Sequence, residues 1–388
     1  MTGPVDRRTG TTYALVAGGG TGGHVRPAIA VARALVAAGH PAESIQFVGS
    51  ARGLERTLVP EAGFAITLLP GRGLVRRMAW CNVGAVAGLA AAAVRAVGVV
   101  ARRRPDVVFS VGGYASVACV AAAVLARIPV VVAEQNAVPG LANRLAGRFA
   151  AAAAVSFPGT PLPRAVVTGN PVPPEVGAVD RSPAGRAAAR RELGLRPDGP
   201  LVAVSSGSLG ARSVNRATVG LAGRWAGRAG TTIYHVVGER DAAEMAAAAP
   251  ELPDGGLRYV QVPFERRMHL LYAAADVFVG RAGASTAAEL TVAGVPAVVV
   301  PLPGAPGDHQ THNGRRLEEA GAAVVIPDAE LDAARLEGVL DPLLADPARL
   351  EAMGEAARRL GHPEAAAEVA KLVEAHARRP RGRVEQAA

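Results

Sequence analysis

Cysteine is nearly missing: Cys81 and Cys119 are the only two in 388 residues, with no C-x-x-C pair. That excludes a disulfide framework and fits a reducing compartment such as the cytoplasm. Aromatic residues make up only 4% of the chain, so Ala, Val and Leu must build its core. Lysine is reduced to Lys371 alone, and arginine carries the rest of the positive charge. No export signal is read: Arg7-Arg8 has the look of a twin-Arg motif, but the apolar run after it, Tyr13–Ala17, is too short and ends in glycines. Two apolar runs approach the length of a membrane span. Arg95 interrupts the first, Val83–Ala101, which is mostly Ala, Val and Gly; Arg127 and Pro129 break the second, Ser116–Ala133. A buried or partly buried helix is the expectation for the first.

Half of the residues are apolar and 19% are charged, a balance that buries a large core and excludes disorder. The length exceeds one ordinary core and implies two domains. The formal net charge of +9 has two readings. It points to acidic partners such as nucleic acid, anionic lipid or phosphorylated ligands, or it reflects a composition rich in Ala, Arg, Gly and Pro. Charge alone does not choose between them, although arginine forks suit phosphate. A nucleic-acid reading rests on charge only, with no recognisable motif behind it.

Short β-branched runs alternate with Ala/Arg/Leu helical stretches, which predicts an α/β chain of parallel sheets with helices on both faces. Strands are predicted at Tyr13–Ala17, Ile45–Gly49, Ile66–Pro70, Asp106–Val111, Val130–Glu134, Ala153–Phe157 and Ala165–Gly169. Helices lie between most of them, including Pro27–Ala38 and Val83–Arg103. Residues 170–186, NPVPPEVGAVDRSPAGR, have no period and are rich in Pro and Gly, as a linker is. The alternation then restarts, with six strands from Leu201–Ser205 to Ala323–Ile326 and a helical tail over Pro347–Ala377. The expected organisation is an N-terminal domain over 1–170, a linker over 171–186, a second domain over 187–370 and a tail over 371–388. Two doubly wound, Rossmann-like domains would face a cleft at the carboxyl ends of their strands.

Four segments carry the chemistry. Gly18-Gly19-Gly20-Thr21-Gly22-Gly23-His24 follows a strand and opens a helix. It satisfies G-x-G-x-x-G, but the second strand ends in Val48-Gly49-Ser50, without the acid that holds a dinucleotide ribose; Glu43, at roughly the right spacing, falls before that strand. What remains is bare N–H groups at a helix N-terminus, which attract an anion. His24 at the mouth of the loop is either a helix-end hydrogen bonder or a site residue; the glycine surround favours the site. Ser205–Ala211 repeats the device in the second half, as a phosphate loop or as a plain tight turn. Arg281–Glu289 is a strand end, a glycine turn and a helix start, with Glu289 one turn in, either capping that turn or accepting two ribose hydroxyls. The polar run Asp308-His309-Gln310-Thr311-His312-Asn313 follows the next strand. A metal reading of its acid and histidines is disfavoured, because the segment should turn into a helix and splay them. No D-x-D occurs, which disfavours a metal-dependent sugar transferase.

The ordered set GGGTGGHVRPAIAVA, SVGGYAS, EQNAVPGLANR, VTGNPV, SGSLGA, PFERRMHLLYAAADVFVGRAGASTAAEL and PLPGAPGDHQTHN resembles the MurG family, from about Tyr13 to about Ala370. The resemblance implies the two-domain GT-B fold and a transferase that moves N-acetylglucosamine from its UDP form onto lipid I, giving lipid II for peptidoglycan, with no cofactor and no metal in the site. It implies that the second domain holds UDP-N-acetylglucosamine: Gly207, Ser208 and Gly210 at the phosphates, Phe264 and Met268 around the uracil, Glu289 on the ribose, His309 and Gln310 on the sugar hydroxyls, with Arg281 and Ala284 in the same site. The first domain would hold the lipid-linked muramyl-pentapeptide acceptor through Thr21, Gly22, Gly23, His24, Tyr114 and Asn136. Asn143 and Arg144 match a family motif without an assigned contact. His24 is the first candidate for the base that takes the acceptor proton, and Glu134 the reserve. The loop containing Leu74, Arg76, Arg77, Met78 and Trp80 mixes cations with bulky apolar groups. It suits an anionic membrane surface at the cytoplasmic face, or is an ordinary loop with solvated arginines. No nucleic-acid partner is implied.

The pattern departs from the family at three places. Pro173 stands where an Arg thought to help at the donor phosphates is usual, leaving Arg164 or Arg212 as candidate substitutes; Ser206 replaces a usual Gly, and Arg26 a usual aromatic. These changes keep two alternatives open: a paralogue acting on a natural-product or modified acceptor, and a non-catalytic UDP-sugar-binding protein on the same scaffold.

Overall fold

The computed structural model describes residues 12–20, 22–70, 81–207 and 210–378, with only the helical backbone over 81–90. Its strands are β1 Ala14–Ala17, β2 Ile45–Ser50, β3 Ala65–Leu69, β4 Val107–Ser110, β5 Val130–Glu134, β6 Ala152–Val155, β7 Ala165–Val167, β8 Leu201–Ser205, β9 Thr232–Val236, β10 Arg258–Val262, β11 Val277–Gly280, β12 Ala297–Val299 and β13 Ala323–Val325. Its α-helices are α1 Gly22–Ala37, α2 Glu55–Glu61, α3 Cys81–Arg103, α4 Tyr114–Leu125, α5 Leu141–Ala146, α6 Pro174–Gly177, α7 Pro183–Glu192, α8 Arg212–Arg224, α9 Ala242–Ala247, α10 Met268–Ala274, α11 Ala284–Ala293, α12 His309–Glu319, α13 Ala333–Leu344, α14 Pro347–Leu360 and α15 Ala365–His376.

The chain divides into two compact units, Met1–Pro171 with Glu364–Ala388, and Val172–Pro363. The first holds a seven-stranded parallel sheet in the order β3-β2-β1-β4-β5-β6-β7. The second holds a six-stranded parallel sheet in the order β10-β9-β8-β11-β12-β13. Both orders reverse beside the unit's first strand, between β1 and β4 and between β8 and β11; each unit is therefore a doubly wound Rossmann-like domain with one switch point. The central strands β1, β4, β5, β8, β9 and β11 are buried along their whole length, as strands covered on both faces must be.

In the first unit, one apolar layer joins Val16, Phe47 and Phe109 to Ile29 and Leu35 of α1 and to Val369 and Val373 of α15. The opposite layer joins Leu15, Val108 and Val132 to Ala92, Ala96 and Val100 of α3 and to Cys119 of α4. Ala92, Ala96 and Val100 recur every four residues, so α3 buries one stripe and leaves Val94 and Val97 exposed. Among the described residues no helix is long and apolar enough to cross a membrane.

Three expectations are revised. The first helix begins at Gly22, five residues before Pro27, so Gly22, Gly23 and His24 form its first turn and Pro27 lies inside it. The cost is one backbone bond that Pro27 cannot donate. Residues 170–186 are not featureless: they contain α6 and open α7, whose cap is the Ser182 hydroxyl accepting from Gly185 N–H at 3.1 Å. Arg186 and Arg190 then tie this segment to Asp276 at 2.5 and 2.9 Å. The tail helix breaks at Gly361-His362-Pro363, where a Cβ on Gly361 would meet Thr291 O at 2.8 Å. Its second half, α15, packs on α1 and on β4 to β6 of the first unit.

That packing generates a prediction. Val373 is fully buried against α1, so Val373→Asp places an unpaired carboxylate in the core and should cost on the order of 4 kcal/mol. Val373→Ile should cost under about 1.5 kcal/mol. Urea unfolding of the two variants measures the difference.

Candidate active site

In the first unit the switch point is crowded by backbone. Gly18 N–H donates to Val48 O at 3.0 Å and Gly19 N–H to Gly112 O at 3.3 Å. A Cβ on Gly113 would lie 2.5 Å from Gly19 O. Gly18, Gly19 and Gly20 have φ of 132°, 138° and 100°, values closed to side-chain-bearing residues. The β1 and β4 loops thus close on each other and start α1 and α4 side by side, placing Gly22, Gly23 and His24 at one helix start and Tyr114 at the other. The Tyr114 hydroxyl donates to Pro70 O at 2.9 Å.

After β5, Glu134 is buried and acts as the hub of its loop. Its Oε1 accepts from Asn136 N and Nδ2 at 3.0 and 3.1 Å, and its Oε2 from Gly140 N at 3.0 Å and Asn143 Nδ2 at 2.9 Å. Four donors commit its lone pairs to holding the turn that carries Asn136. Asn143 is buried as well and also donates to Ala133 O at 2.9 Å.

The second unit repeats the arrangement. Gly207 and Gly210 bend with φ of 83° and 69°, and Gly210 N–H donates to Gly207 O at 3.0 Å. A Cβ on Gly210 would overlap Val237 O, and one on Gly280 would overlap Ser205 O, so again only glycine fits. Behind this turn runs a buried polar chain. Tyr259 OH lies 2.9 Å from His235 Nδ1, and His235 Nε2 lies 3.1 Å from Asn215 Oδ1. Asn215 Nδ2 donates to Val237 O at 3.0 Å and to Asp241 Oδ2 at 3.3 Å. Asp241, itself inaccessible, is gripped by Arg240 at 2.8 Å and by Arg212 at 3.3 Å. The Arg240 and Arg212 hydrogen bonds hold its carboxyl down at about 2, while burial alone pushes His235 down to about 4.

The remaining donor-side candidates follow β10, β11 and β12. Glu289 lies in α11 and accepts from Tyr272 OH at 2.7 Å; Ala284 is the first residue of that helix. Arg281 braces the site: it donates to Val300 O and Pro301 O, both at 3.2 Å, to Asp328 Oδ1 at 2.5 Å and to Ser213 Oγ at 3.0 Å. His309 Nδ1 lies 2.8 Å from Pro306 O, and Gln310 Oε1 accepts from Leu302 N at 3.0 Å. Phe264 is exposed and Met268 opens α10. Between them buried Glu265 takes the Tyr234 hydroxyl at 2.7 Å and Arg267 N–H at 2.8 Å. Thr21, Ser208, Leu74, Arg76, Arg77, Met78 and Trp80 lie outside the described residues. Of the two candidate replacements for the arginine missing at Pro173, Arg212 is the first residue of α8, whereas Arg164 is bound to the carbonyls of Gly147 and Arg148.

Sequence reasoning missed Glu265, Tyr272, Asn215 and Asp241. Each holds a candidate residue or its loop from behind, and none falls inside the glycine-rich pattern that drew attention. An exposed apolar face of the first unit was missed too: Leu125, Leu141 and Phe149 are 78%, 72% and 64% exposed, and Leu145 joins them.

The family models agree with this layout. That of the glycosyltransferase family 28 N-terminal domain matches residues 14–155 and that of its C-terminal domain residues 201–371. The solved structure of a glycosyltransferase of kitacinnamycin has the same fold, at 19% identity and TM-score 0.66 over 95% of this chain and 99% of its own. The chain is thus a two-domain glycosyltransferase of the GT-B class. Finer kinship follows from three relatives. The UDP-N-acetylglucosamine–N-acetylmuramyl-(pentapeptide) pyrophosphoryl-undecaprenol N-acetylglucosamine transferase of a Nocardioides species is 43% identical, covering 92% of this chain and 96% of its own. The protein of that name from Clavibacter michiganensis is 44% identical, over 95% and 98%. The Acinetobacter baumannii MurG structure has TM-score 0.77 at 28% identity, over 94% and 99%. The chain belongs to the MurG family of these transferases.

The buried chain behind the Gly207 turn should make stability fall in acid. His235 titrates at about 4 folded against an ordinary 6.5, so the unfolded chain binds the extra proton; stability from it is complete above 6.5 and is lost as pH falls toward 4. Asp241 adds a lower window, from its ordinary 3.8 down to about 2. Urea midpoints measured from pH 7 to 4 should fall, and His235→Gln should flatten the curve between 6.5 and 4.

Proposed function

We propose that the chain transfers N-acetylglucosamine, with inversion, from UDP-N-acetylglucosamine to the C4 hydroxyl of the muramyl sugar of lipid I, giving lipid II, at the cytoplasmic face of a bacterial membrane. The observation that carries this reading is kinship to transferases of that name at 43% and 44% identity over more than nine-tenths of the chain. The donor lies in the second unit. Glu289, oriented by Tyr272, takes the ribose hydroxyls; Phe264 and Met268 flank the uracil; His309 and Gln310 meet the sugar; Gly207, Ser208, Gly210 and Arg212 meet the diphosphate. The acceptor lies in the first unit, on the α1 start with Thr21, Gly22, Gly23 and His24, on Tyr114, and on Asn136 held by Glu134.

His24 takes the proton of the C4 hydroxyl as that oxygen bonds to the anomeric carbon from the face opposite UDP. The C1–O bond to the diphosphate breaks and its electron pair leaves with UDP. The α8 N-terminus and Arg212 meet the charge that develops there. Glu134 serves the reaction by holding Asn136.

The membrane contact is the apolar face of Leu125, Leu141, Leu145 and Phe149, with Arg127, Arg144 and Arg148 close to it in sequence, together with residues 74–80. Bulky apolar groups beside arginines suit an anionic surface.

UDP-N-acetylglucosamine and a lipid I analogue, mixed with the protein and a chelator, should yield UDP and the lipid-linked disaccharide by mass spectrometry. His24→Ala should lower kcat about 10²- to 10⁴-fold, and Glu289→Ala should weaken UDP-sugar binding about 10- to 100-fold. Donor binding without disaccharide would instead support a paralogue with another acceptor or a non-catalytic protein. Separately, Phe149→Asp should lower binding to anionic vesicles about tenfold or more while turnover of a soluble acceptor analogue stays the same. Unchanged vesicle binding would remove this face from the membrane reading.

A further inference from the structure

Glu55 has no part in the site as described so far. It is the first residue of α2 and is 1% exposed. Its Oε2 accepts from Gly20 N–H at 2.8 Å and its Oε1 from Ser50 N–H at 2.7 Å. The surrounding wall is made of glycine. A Cβ on Gly19 would lie 2.5 Å from the carboxylate carbon, and a Cβ on Gly49 or Gly53 would overlap the same side chain. Three glycines from the β1 loop, the end of β2 and the lead into α2 leave room for one carboxylate.

A carboxylate taken out of water is costly unless hydrogen bonds replace its hydration. Here the replacements are backbone N–H groups of the loop that starts α1 and of the end of β2. Dinucleotide-binding folds place an acid near this position to hold a ribose. Glu55 cannot do so, because it is enclosed and both oxygens are taken up by the protein's own backbone. Its reach is to Gly20, one residue before Thr21 and four before His24. The N–H of Gly20, which a glycine loop would otherwise offer to a ligand anion, is already occupied by an anion of the protein.

We propose that Glu55 is a positioning residue, whose carboxylate fixes Gly18–Gly20 ahead of α1 so that His24 meets the acceptor hydroxyl in the orientation needed to take its proton. This rests on the reading of His24 as the base. Glu55→Gln keeps the shape but turns one acceptor oxygen into an N–H₂ donor facing a backbone donor. Gly53→Ala keeps the charge and presses a methyl group onto the carboxylate.

Both variants should lower kcat about tenfold to a hundredfold, the scale of a small misplacement of a reacting group. The KM for UDP-N-acetylglucosamine, whose site is in the other unit, should stay within about twofold. The His24 imidazole resonance, read by NMR on ¹³C-histidine protein without substrate and assigned with His24→Ala, should shift in both. The double variant should be no slower than the slower single one, because both act through the same carboxylate.

A folded Glu55→Gln protein with wild-type kcat and an unmoved His24 resonance overturns the proposal. So does a variant in which donor affinity, kcat and melting temperature fall together, which marks a merely structural acid. If Glu55→Gln does not fold, Gly53→Ala decides by the same readings. A wild-type protein that forms no disaccharide would sink the base reading, and the substrate-free resonance would then decide by itself whether Glu55 fixes the loop.

Discussion

The structure depends on the close approach of two strand ends at each switch point. Gly18 and Gly19 meet Gly112 and Gly113 in the first unit, and Gly280 meets Ser205 in the second, at separations that no side chain survives. That approach brings two helix starts together at the carboxyl ends of adjacent parallel strands, where unpaired N–H groups accumulate. It also explains why so Ala- and Gly-rich a chain holds a defined site. The core needs only small apolar residues, and the specificity resides in glycines whose absence of a Cβ is structural.

Loops opened in this way need something to hold them, and acids paired within the protein do it. Glu55 takes N–H groups of the β1 loop and the β2 end, Glu134 those of the β5 loop, and Glu265 that of Arg267 ahead of α10. Asp241 anchors Arg212 and Asn215 on α8, and Asp328 anchors Arg281 and Ser213. In each case the carboxylate is satisfied by protein donors rather than left for a ligand. A transferase handling two anionic substrates gains from this separation. Glu55, Glu134, Glu265 and Asp241 are withdrawn from the surface, Asp328 is half-buried, and each sets its charge against the protein's own donors.

The doubly wound fold was legible because strands buried on both faces leave uninterrupted β-branched runs, and glycine clusters mark where they turn into helices. The glycine loops, Glu289 and the polar run at His309 drew attention for the same reason: local chemistry was dense. What escaped was non-local. Glu55 lies five residues beyond β2, where a ribose acid would have been sought at the strand end itself. Tyr272 reads as one more apolar residue of α10 until its hydroxyl meets Glu289. Nothing in the spacing of Leu125, Leu141 and Phe149 shows that they share an exposed face, because α4 and α5 are joined only by the fold.

The same contrast bears on the departures from the family pattern. Pro173 caps α6 with φ −58°, ahead of Pro174 at the first helical position, so the lost arginine is replaced by a rigid turn rather than by another cation. Ser206 adds a buried hydroxyl beside the Gly207 turn without disturbing the glycine bends on which the turn depends. Arg212 stands at the first position of α8, tethered by a carboxylate that the Arg240 and Arg212 hydrogen bonds keep ionised to about pH 2. A cation held at a helix start by a buried acid is oriented before any ligand arrives, and its positive field adds to that of the helix end. The second unit thus has a proline in the linker where the family has an arginine, and still presents a tethered cation at the start of α8.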